Sequence, residues 1–306
     1  MSDVGFFEND FYDLTISALN GFVGNEFNLE VAIKREDQID TFVSGNKFRK
    51  LKYNLIEAQN LRQKTLLTFG GAFSNHISAT AFSAKEKRFK SIGIIRGEEH
   101  FPLNPTLRFA RENGMELYYV SRSDYRQKAT QDFIKNLRNR FGDFYLIPEG
   151  GTNDLALKGT AEILDGDDTQ YFICCPVGNG GTIAGIINSS NNNQKIIGFP
   201  AIRGFEQLRK DINKWTNKED WKLVNDYVCG GYAKVNEELI DFISEFYKTQ
   251  DIPLDAVYTG KMMMGILDLV KQDYFPKGSS VMAIHSGGLQ GNKGMNERFA
   301  YNLPAN

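Results

Sequence analysis

Short apolar runs alternate along this chain with segments whose apolar residues recur every three or four positions. "LLTF" (66–69) precedes "SNHISATAFSAKEK", "SIGII" (91–95) precedes "NPTLRFARENG", and "ELYYV" (116–120) precedes "KATQDFIKNLRNRFG". Short continuous apolar runs read as buried strands, and a period near 3.6 reads as a helix packed on them. Gly114 stands where the second helix must stop. Three such units between residues 64 and 141 suffice for a small sheet. Past "FYLIPEGGTN" the pattern resumes: "YFICCPVGNGG" runs into "TIAGIINSS", "KIIGFP" into "GFEQLRKDINKW", and "SVMAIHSGG" lies near the C-terminus. The alternation predicts an α/β protein with two open, mainly parallel, twisted sheets and helices on both faces. A smaller α/β domain is expected over residues 48–147 and a larger one over 1–47 and 148–306, the chain passing between them twice. No Pro-rich linker, low-complexity tract or solenoid repeat separates them, so the domains are expected to pack together.

Composition narrows the function classes. In 306 residues, 36 Lys and Arg stand against 38 Asp and Glu, which leaves no electrostatic reason to expect nucleic acid or an anionic membrane as partner. The expected partner is a small molecule. The first ten residues, "MSDVGFFEND", are acidic where a secretory signal would be basic, and no apolar run is long enough to span a bilayer; a cytoplasmic protein is expected. Cys174, Cys175 and Cys229 form no C-x-x-C pair and read as small buried hydrophobes. His76, His100 and His285 lack the spacing of a helical zinc site, so no metal is expected.

Candidate chemistry begins at "SGNKFRKLKYN" (44–54), with Lys47, Arg49, Lys50 and Lys52 crowded together. Ser44, Gly45 and Asn46 form a turn, and Phe48, Leu51, Leu55 and Ala58 mark the apolar stripe of the helix that follows. At about 100° per residue, Lys47 lies about 60° from the centre of that stripe, and Arg49 and Lys50 lie more than about 100° away. Lys47 is therefore expected to be the inward cation. The helix dipole, burial and the neighbouring cations all favour its neutral amine, the form that makes a Schiff base with a carbonyl. The alternative is a lysine that snorkels past the apolar edge.

Glycine turns add a second theme. "CPVGNGGTIAG" (175–185) ends a strand in Gly178, Asn179, Gly180 and Gly181, with Thr182 opening a helix. Converging backbone amides at a helix start suit a phosphate dianion, although a ligand-free tight turn reads the same way. No P-loop lysine and no dinucleotide register accompany it. "TFGGAFSNHISA" (68–79) is a second such turn and presents Ser74, Asn75 and His76, Ser74 also serving as a helix cap. "VYTGK" (257–261), "IHSGG" (284–288) and "GGY" (230–232) contribute Tyr258, Thr259, His285, Ser286 and Tyr232. A reactive amine and a phosphate cradle together imply pyridoxal 5′-phosphate.

"KRED" (34–37), "SGNKFRKL", "GGAFSNH", "VGNGGTIAG", "VYTGK" and "HSGG", in this order, resemble the aminocyclopropane-carboxylate deaminase and D-cysteine desulfhydrase family, pyridoxal-phosphate enzymes of the tryptophan-synthase β-like fold. The motifs run from residue 34 to about 290. The resemblance implies that Lys47 bonds the cofactor, that Asn75 meets the ring's 3′ oxygen, and that Gly178, Asn179, Gly180, Gly181 and Thr182 hold its phosphate. It also implies Ser74 beside the substrate carboxylate, Tyr258 and Tyr232 as active-site phenols, and a homodimer. One departure bears on substrate. Deaminases resemble "VYEGK" and "HLGG", with a glutamate beside the ring nitrogen, whereas this chain has Thr259 and Ser286. A hydroxyl there leaves the ring a weaker electron sink, which resembles the desulfhydrase branch. The "GGYAKVNE" segment also departs from the family at the residue after Tyr232, which loosens the placing of that tyrosine. The expected reaction is α,β-elimination from D-cysteine or a related D-amino acid. Aminocyclopropane-carboxylate deamination is the alternative within the family, and a non-catalytic phosphate-ligand binding protein is the alternative outside it.

Overall fold

The computed structural model describes residues 15–305; the acidic opening decapeptide lies outside the described residues. The chain enters through β1 (Ile16–Ala18) and β2 (Glu30–Lys34), then α1 (Asn46–Asn60) carries it to a four-stranded sheet. Through that sheet and its helices the chain runs in the order β3 (Thr65–Gly70), α2 (Asn75–Glu86), β4 (Lys90–Arg96), α3 (Pro105–Glu112), β5 (Met115–Val120), α4 (Arg122–Tyr125), α5 (Gln131–Phe141) and β6 (Tyr145–Ile147). Its order is β5-β4-β3-β6, all parallel. The three expected strands are present, and β6 is a fourth whose three residues are too short to show a period.

The chain then returns through α6 (Asp154–Ala161), β7 (Phe172–Val177), α7 (Gly181–Ser189), β8 (Lys195–Pro200), α8 (Phe205–Asn213) and β9 (Trp221–Leu223). After α9 (Glu237–Gln250), α10 (Thr259–Lys271) and β10 (Ser280–Ile284), it ends in α11 (Gln290–Phe299). The second sheet has the order β1-β2-β10-β7-β8-β9 and is parallel except for β1. All six residues of β7 are buried, as a strand covered on both faces requires. Phe172 and Cys174 join the apolar cluster on one side, and Ile173, Cys175 and Val177 the cluster on the other. Adjacent Cys174 and Cys175 thus point to opposite faces, and all three cysteines are free. None of the described helices is long and apolar enough to cross a membrane.

Helix α1 positions the site. Its predicted stripe of Phe48, Leu51, Leu55 and Ala58 is fully buried against Leu66 and Ile147 of the smaller sheet and Ala79 and Ala84 of α2. Burying each large side chain is worth roughly 1.5–3 kcal/mol, which fixes the rotation of α1 about its axis. Its other side is not open to water, because α6 packs there. A Cβ on Gly159 would stand 1.9 Å from the Arg49 carbonyl oxygen, and one on Gly185 would stand 2.1 Å from Thr160 Oγ1. Those two glycines let α1, α6 and α7 approach closely enough to bring the start of α1 beside the start of α7.

Candidate active site

The parallel strands β3, β7 and β10 end at one cavity of about 640 Å³, lined by Lys47, Ser74, Asn75, Gly178, Asn179, Gly180, Thr182, Tyr232, Tyr258 and Ser286. Carboxyl edges of open α/β sheets are where ligands collect. Of the glycine-turn residues singled out from sequence, Gly181, Thr259 and His285 do not line it.

Lys47 reaches the cavity because the start of α1 is stitched in place. The amide of Gly45 donates to the Glu36 carbonyl (2.9 Å), and that of Asn46 donates to the Ser286 carbonyl (3.1 Å). Burial pulls the Lys47 ammonium down to about 8, so a sizeable fraction is neutral amine near physiological pH. The expectation that Lys47 is the inward cation of the turn is corrected in one respect, since the other cations are buried too. Arg49 donates to both carboxylate oxygens of Glu36 (3.0 and 2.8 Å), and Lys52 pairs with Glu162 at 2.9 Å. Lys50 is 1 % exposed, and its Nζ meets Thr152 Oγ1 (3.0 Å), Asn179 Oδ1 (3.2 Å) and the Gly150 carbonyl (3.3 Å). These side chains do point away from the small sheet, as the helical angle requires. The far side of α1 is occupied by protein, so they are buried. Burial first, and then Lys47, hold the Lys50 ammonium well below its ordinary value. Its spacing from Lys47, three residues along one helix face, is the signal that could have found it.

Asn179, which Lys50 touches, lies in the turn before α7. Gly180 has φ +85°, and a Cβ on Gly181 would stand 2.5 Å from Thr152 Cγ2, so neither position accommodates a side chain without strain. The amides from Gly178 to Thr182 donate to no acceptor among the described residues. Thr182 Oγ1 accepts from Asn46 Nδ2 at 2.9 Å, tying the two helix starts together.

At the start of α2, Ser74 Oγ accepts from the Ile77 amide (3.3 Å), and the amides of Asn75 and His76 remain unspent among the described residues. Asn75 Oδ1 is held by Gln290 Nε2. His76 is 1 % exposed, with Nε2 at 2.8 Å from Thr68 Oγ1. Because Thr68 donates its own proton to the Ile147 carbonyl (2.9 Å), His76 Nε2 is the donor and Nδ1 is bare. Burial, then Lys47 and Lys50, keep this imidazole well below its usual range, hence neutral.

Tyr232 and Tyr258 face each other with ring centroids 6.2 Å apart. Burial raises both phenols, that of Tyr258 well above its ordinary value. Sequence reasoning missed what places Tyr232. Lys261 is 2 % exposed and donates to the carbonyls of Val228 and Gly231 (2.9 Å each), clamping the loop that carries it.

Thr259 is fully buried. Its hydroxyl donates to Asp255 Oδ2 (2.7 Å) and accepts from the Asp255 amide (2.9 Å). Asp255 lines the cavity, yet its oxygens also take the amides of Val257, Tyr258 and Thr259 at 2.8, 2.8 and 2.9 Å. Four donors fill the four lone-pair positions of a carboxylate. Ser286, by contrast, lines the cavity with a hydroxyl that has no partner among the described residues. No cluster able to hold a metal exists among the described residues.

Residues 16–287 match the family model described as "Pyridoxal-phosphate dependent enzyme". The chain belongs to this family. A Thermotoga maritima protein provisionally named 1-aminocyclopropane-1-carboxylate deaminase is 31% identical over 295 residues, covering 88% of this chain and 92% of that one. An Arabidopsis thaliana protein named bifunctional D-cysteine desulfhydrase/1-aminocyclopropane-1-carboxylate deaminase is 29% identical over 294 residues, covering 86% of this chain and 73% of that one. The crystal structure of an ACC deaminase homologue superposes with a TM-score of 0.78 at 26% identity, covering 92% of this chain and 91% of the other. The fold is thus that of the type II pyridoxal-phosphate enzymes, and pyridoxal phosphate is the cofactor of this enzyme. The residues present fit it: unspent amides at a helix start, a buried lysine against the same turn, and an amine of lowered pKa in the same cavity.

Proposed function

We propose that this enzyme is a lyase that removes the β-substituent of D-cysteine or a related small D-amino acid, giving a 2-oxo acid, ammonia and, from D-cysteine, sulfide. One observation carries the reading. Lys47 and Lys50 share the first turn of α1, one opening into the cavity and the other resting on the glycine turn before α7. An amine and a phosphate cradle are thereby held a fixed span apart.

When bound, pyridoxal phosphate supplies the aldehyde and a ring that takes up the electron pair left by α-deprotonation. Lys47 would hold the aldehyde, and Gly178, Asn179, Gly180, Gly181, Thr182 and Lys50 the phosphate. Asn75 would face the ring's 3′ oxygen, and the free hydroxyl of Ser286 its nitrogen. Thr259 acts from behind, fixing Asp255 and the start of α10. Substrate carboxylate would lie against Ser74 and the Asn75 and His76 amides at the positive end of α2. The freed Lys47 amine, titrating about one unit above neutrality, would take the α-proton. Tyr258 and Tyr232 keep their protons at neutral pH and are placed to deliver one. Residues 1–47 and 148–306 would form the larger, cofactor-holding domain, and residues 48–147 the smaller. We also propose a cytoplasmic homodimer without nucleic-acid or membrane partners.

A second reading is aminocyclopropane-carboxylate deamination to 2-oxobutanoate and ammonia. The names of the relatives favour it, as does the Asp255 carboxylate in the cavity. Its four filled acceptor positions leave nothing for a ring nitrogen, which ranks this reading second. Offering purified enzyme D-cysteine and 1-aminocyclopropane-1-carboxylate side by side decides between them. Pyruvate with sulfide from the first supports elimination; 2-oxobutanoate from the second, with no pyruvate from the first, reverses the order.

A further inference from the structure

The cavity holds a cation that none of the roles above uses. Arg96 ends β4 at the cavity mouth and is exposed. Its Nη2 lies 3.4 Å from where a Cβ on Gly71 would stand, so the guanidinium hangs over the turn leading to Ser74 and Asn75. It sits 5.7 Å from the centre of the Tyr125 ring and makes no ion pair among the described residues. The mouth's carboxylate, Glu149, is already held by the Tyr125 hydroxyl (2.7 Å) and the Lys128 ammonium (3.2 Å). The positive charge of Arg96 is therefore unmatched where it meets the cavity. Tyr232 stands close to it: burial raises that phenol, while Tyr258 and then Arg96 pull it back down.

The consequence rests on the function proposed above. An amino acid with its nitrogen at Lys47 and its carboxylate on the α2 amides has its remaining substituent left for the mouth, where Arg96 stands over the turn leading to Ser74; Arg298, the other exposed arginine of the lining, lies instead against the Phe299 ring at the end of α11. We infer that Arg96 receives the substrate's β-substituent as an anion, so that the preferred substrates are amino acids whose β-group carries negative charge or departs with it. For D-cysteine the balance is complete. The Lys47 amine takes the α-proton, that C–H pair forms the Cα=Cβ bond, and the Cβ–S pair leaves on sulfur as hydrosulfide beside Arg96. Water then converts 2-aminoacrylate to pyruvate and ammonia. In cyclopropane opening the departing atom is carbon and needs a proton, which an arginine does not give up.

The test compares wild type with Arg96→Gln and Arg96→Lys as holoenzymes. Calorimetric titration uses two amino acids that lack an α-proton, 2-methylaspartate with an anionic β-group and 2-aminoisobutyrate without one. Arg96→Gln is expected to weaken 2-methylaspartate about tenfold or more, as loss of a charge-assisted hydrogen bond does, and 2-aminoisobutyrate by less than about twofold. Arg96→Lys is expected to retain part of the difference. In turnover, Arg96→Gln is expected to lower kcat/KM for D-cysteine about tenfold. Equal weakening of both ligands, no weakening of either, or a wild type that does not prefer 2-methylaspartate overturns the assignment. Selective binding through Arg96 with no sulfide released from D-cysteine would sink the proposed reaction and leave the Arg96 assignment standing.

Discussion

Two strand-to-helix turns in this enzyme use glycine for different ends. The turn before α7 has no side-chain cap, places Gly180 at positive φ, and leaves a run of amides free beneath the buried Lys50. The turn before α2 is capped by Ser74, which spends the oxygen of that side chain on Ile77 and leaves two amides beside the side chains of Ser74, Asn75 and the neutral His76. The first is a backbone cradle with a buried lysine, whose charged form a bound dianion would favour, and it suits a dianion held permanently. The second is a lighter anion site surrounded by functional side chains, suited to a carboxylate that must arrive and leave.

The sharpest way to break the contrast is steric. A Cβ at Gly181 meets Thr152 at 2.5 Å, whereas one at Gly71 meets only the far end of the Arg96 side chain at 3.4 Å. Gly181→Val should raise the Kd for pyridoxal phosphate at least about thirtyfold, since overpacking and displaced amides each cost about 1–3 kcal/mol. Gly71→Ala should leave that Kd within a few-fold. Equilibrium dialysis of apoenzyme measures both.

Lys50→Gln tests the cation alone. It should weaken pyridoxal phosphate about ten- to a hundredfold while changing pyridoxal, which has no phosphate, by less than about threefold. The reverse pattern would remove Lys50 from the cradle. Ranking the same two ligands for Ser74→Ala should show no such split.

How much of this was legible in the sequence differs between the two turns. The glycine run before α7 and the Ser-Asn-His triplet before α2 stand out in the chain, as does the apolar stripe that orients α1. Lys50 was read only as pointing away from the apolar stripe because a helical wheel knows one neighbour, the small sheet. Its actual partners, Gly150, Thr152 and Asn179, come from more than ninety positions further on. Arg49 failed for the same reason, its carboxylate partner Glu36 lying in a segment whose burial only the tertiary fold creates. Thr259 was read as facing the ring because motif position cannot reveal that Asp255, four residues earlier, has claimed the hydroxyl. Short pieces such as β6 and β9 carry no period to read.

Two smaller effects refine the comparison. Reconstitution of apoenzyme with pyridoxal phosphate requires the neutral Lys47 amine. A group whose pKa is lowered to about 8 gains reactive form as pH rises, so the rate should climb about tenfold per unit below pH 8 and level off above it. Stopped-flow absorbance from pH 6 to 10 reads it, and a rate still rising steeply at pH 10 would mean an unperturbed lysine. Ser74→Ala should cost about 1 kcal/mol of stability through the lost cap, visible in urea denaturation, together with a fall in kcat/KM. Ser74→Thr should restore the cap, separating its structural part from its catalytic one.

The central claim is that one lysine of a crowded cationic turn, Lys47, carries the cofactor. Borohydride reduction of the yellow holoenzyme, followed by peptide mapping, tests it directly. A single pyridoxyl group on Lys47 is the predicted result; a label on Lys50 or Lys52, or none at all, contradicts the account.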